Sequence, residues 1–281
     1  MDKLEEVRKG KVIAEGKTKI VRRESPGIVL IENKDILSKG DGKVLYTLTG
    51  KGIWATETTC NAFELLRRHN VPMAYIERVD ERTFRAYEAD MGKLEIVARN
   101  IAFGSRTKRH PEESEGLVYD EPVIEIFYKS DEEGDPFMVF DLISGHWLLF
   151  DAKKPLKEGF MREMPVLVTA KGIVIDAGII KQIKEIAMQV NSALKEAWAK
   201  QKVALPDFKI EIGFIIKDGK VTLVLADVID NDSWRIWLLG DKYRMKDKEV
   251  FRMLKDVTPE DRNKLKENYQ WVAEVTKEFL T

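Results

Sequence analysis

Apolar residues recur at spacings of three and four across residues 176–200. There Ile179, Ile183, Ile186, Val190, Leu194 and Ala197 form one stripe, with Asp176 as a candidate N-cap. This pattern predicts an amphipathic helix whose stripe is core packing. The period then changes to two. Ile210, Ile212 and Phe214 alternate with Lys209, Glu211 and Gly213, which predicts a strand. Asp218-Gly219 signals a turn, and residues 221–226 form the return strand. Nearer the N-terminus, residues 11–23 and 27–32 read as strands around Ser25-Pro26-Gly27. Residues 57–69 read as a helix with Cys60, Phe63 and Leu66 on one side, ending at Asn70-Val71-Pro72. Residues 73–103 return to strand-like patterns, and residues 259–280 read as a helix containing Leu265, Tyr269, Val272 and Val275. Two stretches lack a clear period. Residues 33–52 carry four glycines and read as a flexible, ligand-facing loop. Residues 130–175, with Gly134-Asp135-Pro136, Gly145, Pro155 and Pro165, read as irregular and insertion-like.

Composition narrows the picture. The 281 residues suffice for one large or two small domains, and 44% hydrophobic with 34% charged residues describes a globular chain. A net charge of −1 argues against a general nucleic-acid or anionic-membrane binder. Cys60 is the single cysteine, so there is no internal disulfide and no cysteine-based zinc site. His69, His110 and His146 lack metal-ligand spacing. No apolar run spans a bilayer, and residues 1–11 hold no apolar signal core. A reducing cytoplasm is the expected setting. A homo-oligomer is left open.

Four segments suggest chemistry. Residues 225–237 read Leu-Ala-Asp-Val-Ile-Asp-Asn-Asp-Ser-Trp-Arg-Ile-Trp and place Asp227, Asp230, Asp232 and Arg235 directly after an apolar strand. Acids at a strand end suit a cation, and an arginine suits a carboxylate or phosphate. Glu15-Gly16-Lys17-Thr18-Lys19 puts two lysines two residues apart on one face of a strand, so that both could meet the same anion. It is not a Walker A loop. A solvated basic strand gives the same pattern. Residues 99–109 carry four cations around Gly104-Ser105, a set that suits a phosphate monoester or simply a basic loop. Asp207, Lys209 and Glu211 share one strand face, which could also be the wet side of a sheet.

In order and combination, these segments resemble the phosphoribosylaminoimidazole-succinocarboxamide synthase (SAICAR synthetase) family. The resemblance rests on Glu15-Gly-Lys-Thr-Lys19, Gly50-Lys-Gly52, Arg99-Asn100, Gly104-Ser105, Lys108-Arg109, Asp207-Phe-Lys-Ile-Glu-Ile-Gly213 and Leu225-Ala-Asp227. Residues 226–237, Val257-Thr-Pro259 and Trp271-Val-Ala-Glu274 look most like the synthetase half of the animal bifunctional purine enzyme. The carboxylase half has no counterpart in these residues. The resemblance implies an α+β fold. A small lobe, residues 1–90, would cover the nucleotide, and a larger lobe, residues 91–281, would bind substrate and metal, with ATP between them. The implied reaction is ATP-dependent ligation of L-aspartate to the carboxylate of carboxyaminoimidazole ribonucleotide (CAIR). By similarity, Gly16, Lys17 and Lys19 would meet ATP phosphates, Met91 would offer its backbone to adenine, and Glu211 and Asp227 would hold Mg²⁺. Arg99, Gly104, Ser105 and Arg235 would bind CAIR. Ser38, Asp207 and Lys209 would bind aspartate or support the site. Lys17, Lys209, Asp227 and Arg235 would carry catalysis. The stretch Ile36-Leu-Ser-Lys-Gly-Asp-Gly-Lys43 and the run Lys129-Ser130-Asp131 depart from the family pattern, and residues 137–172 match it poorly. A small-molecule kinase would not need Arg99, Ser105 and Arg235 together. A non-catalytic relative would be expected to lack Lys17, Glu211 or Asp227.

The shared-metal reading makes a demand on register. A two-residue turn at Asp218-Gly219 pairs Glu211 with Ala226 and sends Asp227 to the other face. The two acids would meet only with a three-residue turn, Gly219 being left-handed, or with a bulge before Asp227. One of these is the expectation.

Overall fold

The structure is a computed structural model that describes residues 10–40, 42–217 and 219–281. Two antiparallel sheets organise it. The first has the order β1-β2-β3-β7-β6: β1 (Lys11–Glu15), β2 (Lys19–Ser25), β3 (Ile28–Asn33), β6 (Tyr75–Arg78) and β7 (Thr83–Tyr87). The expected single strand over 11–23 is broken at residues 16–18, where the Gly16 amide donates to the Lys19 carbonyl at 2.9 Å. The second sheet has the order β12-β11-β10-β9-β8-β13-β14, with β15 also pairing with β13. Its strands are β8 (Asp90–Ile101), β9 (Val118–Tyr128), β10 (Phe137–Phe140), β11 (Trp147–Phe150), β12 (Phe160–Met164), β13 (Val203–Lys217), β14 (Lys220–Ala226) and β15 (Trp234–Leu238).

Two sequence expectations need correction. Residues 130–175 are not irregular, because β10, β11 and β12 extend the second sheet. These strands are too short to establish a period, but Trp147 and Leu149 are buried on one side of β11. Residues 33–52 are not simply a loop. They contain the hairpin β4 (Ile36–Lys39) and β5 (Val44–Thr47), followed by helix α1 (Lys51–Arg68), which starts well before residue 57. Leu37 is fully buried in a small cluster with Leu48, Phe251, Leu265 and Tyr269. The hairpin is therefore anchored by packing. Its tip includes Asp41, outside the described residues.

Period two on β13 separates the sheet faces as expected. Phe208, Ile210, Ile212 and Phe214 point into the main core beneath α4 (Ala177–Lys200), which contributes Ile183, Val190, Leu194 and Trp198. The Asp176 carboxylate accepts from the Ile179 amide, so it caps α4. The other face of the sheet carries charge. Register places Asp207 opposite Arg99, Lys209 opposite Val97, and Glu211 opposite Glu95. Val97 in turn lies opposite Glu125 on β9. Residues 259–280 are helical in α6 (Pro259–Lys277) and a terminal turn, opened by a Thr258/Asp261 capping box.

The β13–β14 turn decides the register question against expectation. Glu211 pairs with Ala226 and Lys217 with Lys220, which is the two-residue connection, without a bulge before Asp227. Asp218 lies outside the described residues. Gly219 does adopt a positive φ of 74°, and a side chain there would meet nothing within 4 Å. The penalty for Gly219→Val is therefore conformational rather than steric crowding, about 1–2 kcal/mol. The urea midpoint should fall with unchanged slope. An unaltered midpoint would show that this left-handed turn is not held in solution.

Candidate active site

On its outer side, β13 changes partner along its length. Residues 211–217 pair with β14, and residues 203–208 with β15. Residues 227–233 cross between these partners and close over the opening, where the Lys209 amide donates to the Ser233 carbonyl at 2.7 Å. This gap brings the acidic segment onto the charged sheet face.

Asp227 is the pivot. Its φ is 64°, so regular strand alternation stops there. The residue turns its carboxylate toward Glu211 instead of continuing to the opposite face. The two acids meet through that backbone turn, neither by the expected three-residue connection nor by a bulge. Burial and the Asp227 charge raise the Glu211 pKa. For Asp227 burial also acts upward, but Lys19 outweighs it and holds the carboxyl below its ordinary value. Lys19 bonds to Asp227, and Lys129 Nζ lies 2.5 Å from Glu211.

Three cavities run in sequence across this face. The first, about 310 Å³, is mainly apolar, with Ile31, Phe84, Ala86 and Met91 among its walls and Lys19, Lys129, Glu211 and Asp227 at its polar end. The second, about 560 Å³, shares those four polar residues and adds Gly16, Lys17, Ser38, Lys209, Lys248 and Arg252. The third, about 330 Å³, shares Lys209 and Arg252 with the second and adds Arg99, Ser105, Asp207 and Arg235.

Arginines and carboxylates order the third cavity. Arg235 Nη1 reaches both Asp207 oxygens at 2.9 and 2.7 Å, and Arg99 Nη1 reaches Asp207 at 2.9 Å. Arg99 Nη2 also donates to Ser105 Oγ at 3.2 Å. Gly104 has φ 64°, and a Cβ there would lie 2.9 Å from Arg235 Nη2. Glycine is what permits the close approach. Beneath these groups, Glu125 meets Arg99 at 2.5 Å, Arg106 at 3.1 Å and Arg109 at 2.7 Å. Burial alone would raise its pKa, but the guanidiniums bring it down to about 2. A phosphate or carboxylate suits such a cavity because arginine can bind either in bidentate fashion.

A family model described as SAICAR synthetase matches residues 12–269. The chain belongs to the SAICAR synthetase family. It is 37% identical over 269 residues to the phosphoribosylaminoimidazole-succinocarboxamide synthase of Roseiflexus sp. (strain RS-1), covering 95% of this chain and 96% of that protein. It is 34% identical over 271 residues to the human bifunctional phosphoribosylaminoimidazole carboxylase/phosphoribosylaminoimidazole succinocarboxamide synthetase, covering 94% of this chain but 58% of that protein. Among solved structures, a SAICAR synthetase in complex with ADP superposes with a TM-score of 0.72 at 31% identity, covering 92% of this chain and 97% of that one. A SAICAR synthetase from Pyrococcus horikoshii OT3 gives 0.69, also at 31% identity, covering 90% and 97%.

The residues given site roles by the resemblance line these three cavities, apart from Gly104, which lies against Arg235, and with one geometric difference. Lys17 and Lys19 do not share a strand face, because Lys17 lies in the bend between β1 and β2 while Lys19 begins β2. Both still line the second cavity. Met91 sits opposite Gly213 in β8, at the apolar cavity. Ser38 lies on β4 at the second cavity's wall. Sequence reasoning missed Glu95, Glu125, Lys248, Arg252, Lys51 and Tyr269. Glu95 and Arg99 share the parity of their strand, and that alternation was a usable signal. Lys51 stood inside the Gly50-Lys-Gly52 stretch without a role of its own, and nothing local marked Tyr269; what each does depends on distant elements meeting.

Glu125 yields a stability prediction. Its lowered pKa stabilises the fold above the ordinary value of 4.5, and this contribution is lost as pH falls toward about 2. Glu125→Gln leaves Arg99, Arg106 and Arg109 without their common counter-charge, at a cost of about 3–5 kcal/mol. Urea unfolding at neutral pH should show that loss, and the variant should lack this part of the acid dependence. Wild-type stability in the variant would mean that Glu125 does not organise the cavity.

Proposed function

We propose that this chain ligates L-aspartate to the carboxylate of CAIR at the expense of ATP, forming SAICAR, ADP and phosphate for purine biosynthesis. The observation that carries this reading is the row of cavities. A mainly apolar chamber opens, past two converged carboxylates, into an arginine-lined anion chamber. Membership in the SAICAR synthetase family and likeness to the ADP-bound relative support it. The first cavity suits the adenosine, with the Met91 backbone at the base edge. The Gly16–Lys19 turn, Lys17 and Lys19 suit the phosphates. Arg99, Ser105 and Arg235 suit the CAIR phosphate or carboxylate, with Gly104 giving Arg235 room. Asp207 fixes both arginines, and Lys209 with Ser38 supports the remaining substrate. On this reading residues 1–90 cover the nucleotide and residues 91–281 bind substrate and metal. The break between β7 and β8 near residue 90 favours that boundary.

In the reaction, an oxygen of the CAIR carboxylate attacks the γ-phosphorus of ATP. The bond from that phosphorus to the bridging oxygen breaks, and ADP leaves with the electron pair. The aspartate amine then attacks the acyl phosphate carbon, a C–N bond forms, phosphate leaves, and the nitrogen gives up its surplus protons. Most of the acceleration in such chemistry comes from positioning and charge neutralisation. The closely placed Glu211 and Asp227 offer hard oxygen donors that fit Mg²⁺. They would hold it together with phosphate oxygens, where it would neutralise phosphate charge. The described residues contain no helix long and apolar enough to cross a membrane. Small-molecule substrates and a single buried cysteine favour a reducing, cytoplasmic setting.

A direct test is ADP release with CAIR and ATP. Turnover should require L-aspartate, and its independence from L-aspartate would refute the ligase reading. Asp227→Asn should lower turnover on the order of a hundredfold or more at saturating Mg²⁺. It should also weaken the Mg²⁺-dependent rise in melting temperature, while the unliganded protein keeps its circular dichroism spectrum. A retained Mg²⁺ response and rate would remove Asp227 from the metal site. Arg235→Lys removes a forked donor, which should weaken CAIR by about 1–3 kcal/mol, tenfold or more, with little change for ATP. Equal shifts in the KM values for CAIR and ATP would exclude selective recognition by Arg235.

A further inference from the structure

The charged face of the second sheet continues past Glu95 as an aromatic one. One row of paired residues crosses five strands. Glu211 on β13 lies opposite Glu95 on β8, Glu95 opposite Phe127 on β9, Phe127 opposite Phe137 on β10, and Phe137 opposite Phe150 on β11. Residues directly opposite in an antiparallel ladder point to the same side. The Phe127 and Phe137 ring centroids stand 5.6 Å apart, and those of Phe137 and Phe150 6.4 Å apart. The rings cluster with Val97, Ala152 and Leu156, apart from the main core. Val97, Phe127 and Ala152 also line the third cavity. Strands β10 and β11 belong to residues 137–172, the stretch that matches the family pattern poorly. That stretch therefore supplies one part of the cavity wall.

Residues 151–153 are pinned at that wall. In the sheet, β9 and β10 separate β11 from β8, so the chain reaches the cavity only by turning back after Phe150. The Ala152 carbonyl accepts from Arg109 Nη1 at 2.8 Å. Arg109 is fully buried, and its guanidinium lies 4.9 Å from the ring centroids of both Phe127 and Phe137. It also meets Glu125, the carboxylate that holds Arg99. One buried acid thus fixes both an arginine of the cavity and the anchor of residues 151–153. The turn is closed locally as well. The Lys153 amide donates to the Asp151 carboxylate at 2.9 Å, and the Asp151 amide donates to the Gly159 carbonyl at 2.7 Å. Lys153 then lines the third cavity together with Arg99, Ser105 and Arg235. Its neighbour Lys154 pairs with Asp151 at 3.5 Å and lies outside the cavity wall.

We propose that Lys153 is a further binding residue for the phosphate monoester of CAIR, carried to the cavity by strands β10 and β11. This assignment rests on the ligase reading above. In that reaction the CAIR carboxylate must meet the γ-phosphorus, on the side of Glu211 and Asp227. The phosphate at the other end of the molecule then falls to the third cavity, the one lined by Lys153. A phosphate monoester carries about two negative charges near neutral pH and presents several acceptor oxygens. Arg99 and Arg235 both direct hydrogen bonds to Asp207, so part of their charge is already opposed. A further ammonium from another part of the chain suits the dianion. Lys153 is exposed and has a flexible four-carbon stem, so its ammonium can exchange a protein contact for a substrate oxygen at little cost. Beneath it, Val97, Phe127 and Ala152 give an apolar floor on which the ribose can lie.

The test is steady-state kinetics with each substrate varied in turn, together with calorimetric titration of ribose 5-phosphate, which keeps the phosphate monoester and lacks the base. Lys153→Ala should raise the KM for CAIR about fivefold or more and weaken ribose 5-phosphate by a similar factor, the loss expected for one charge-assisted contact. The KM values for ATP and L-aspartate should stay within about twofold. Lys153→Arg should recover most of the affinity, and added salt should narrow the gap between wild type and Lys153→Ala. Lys154→Ala, which removes the adjacent lysine, should leave every constant near wild type. A CAIR KM within about twofold of wild type in Lys153→Ala would overturn the assignment and leave Lys153 a solvated surface lysine. An equal loss in Lys154→Ala would overturn it in favour of general surface charge, and an equal rise for all three substrates in favour of a structural role. A raised CAIR KM with unchanged ribose 5-phosphate binding would also overturn it, because the contact would then lie elsewhere on CAIR. If wild type turns over without L-aspartate, the ligase reading fails, and the ribose 5-phosphate titration still decides whether Lys153 binds a phosphate monoester. If wild type requires L-aspartate and Lys153→Ala is unaffected, this assignment alone fails.

Discussion

The change of partner along β13 is the constraint on which the site depends. One strand cannot have two neighbours on the same side at the same residue. Where β14 leaves and β15 has not yet begun, the backbone of β13 needs another cover. Residues 227–233 provide it through the Lys209 amide and Ser233 carbonyl. The same crossing carries Asp227, Asp230 and Asp232 over a sheet face that already holds Glu211, Lys209 and Asp207. Packing on the opposite face makes the placement rigid. Ile210 and Ile212 are held in the core, so a slip of one residue would exchange charged and apolar faces.

Charge pairing then keeps the crowded face folded. Isolated ions removed from water cost several kcal/mol each, whereas a network with opposed partners is tolerated. Lys51, 1% exposed, lies against Asp232 and Asp230. The neighbouring carboxyls respond differently. Asp230 is pushed up by burial and by the Asp232 charge, while Asp232 is drawn down by Lys51 and Lys248 despite its burial. Tyr269 joins this network from α6, and Lys51 joins it at the start of α1. The helices on either side of the hairpin β4–β5 therefore share an electrostatic anchor as well as an apolar cluster.

Much of this was legible where the sequence pattern is long. The stripe of α4 and the alternation of β13 extend over enough residues for their periods to stand out, and Asp176 caps as its type suggests. The strands β10, β11 and β12 were not legible, since four or five residues between Gly- and Pro-containing turns cannot establish a period. The acids at the end of β14 were visible as a cluster, but their mode of convergence was not. Sequence alternation assumes that a strand continues, and Asp227 leaves it through a left-handed backbone. Lys248 and Arg252 were equally hidden, because a helix of five residues leaves almost no periodic trace.

The departure of Asp227 from strand geometry separates two features that register alone would couple. With the regular two-residue turn retained, β14 keeps Leu223 and Leu225 in the core and its full ladder to β13. A bulge placed before Asp227 could also have brought the acids together, but it would have disturbed that ladder and the packing beneath it. A single left-handed residue after the last paired position redirects the carboxylate at a cost of about 1–2 kcal/mol. Lys19 then offsets the repulsion between the two acids. Under the proposed reading, a divalent cation would take over that neutralising role, and Lys19 and Lys129 would be left to face phosphate oxygens. The folded protein and its loaded site would then use the same lysines against different anions, which keeps the charge of the cleft balanced in both states.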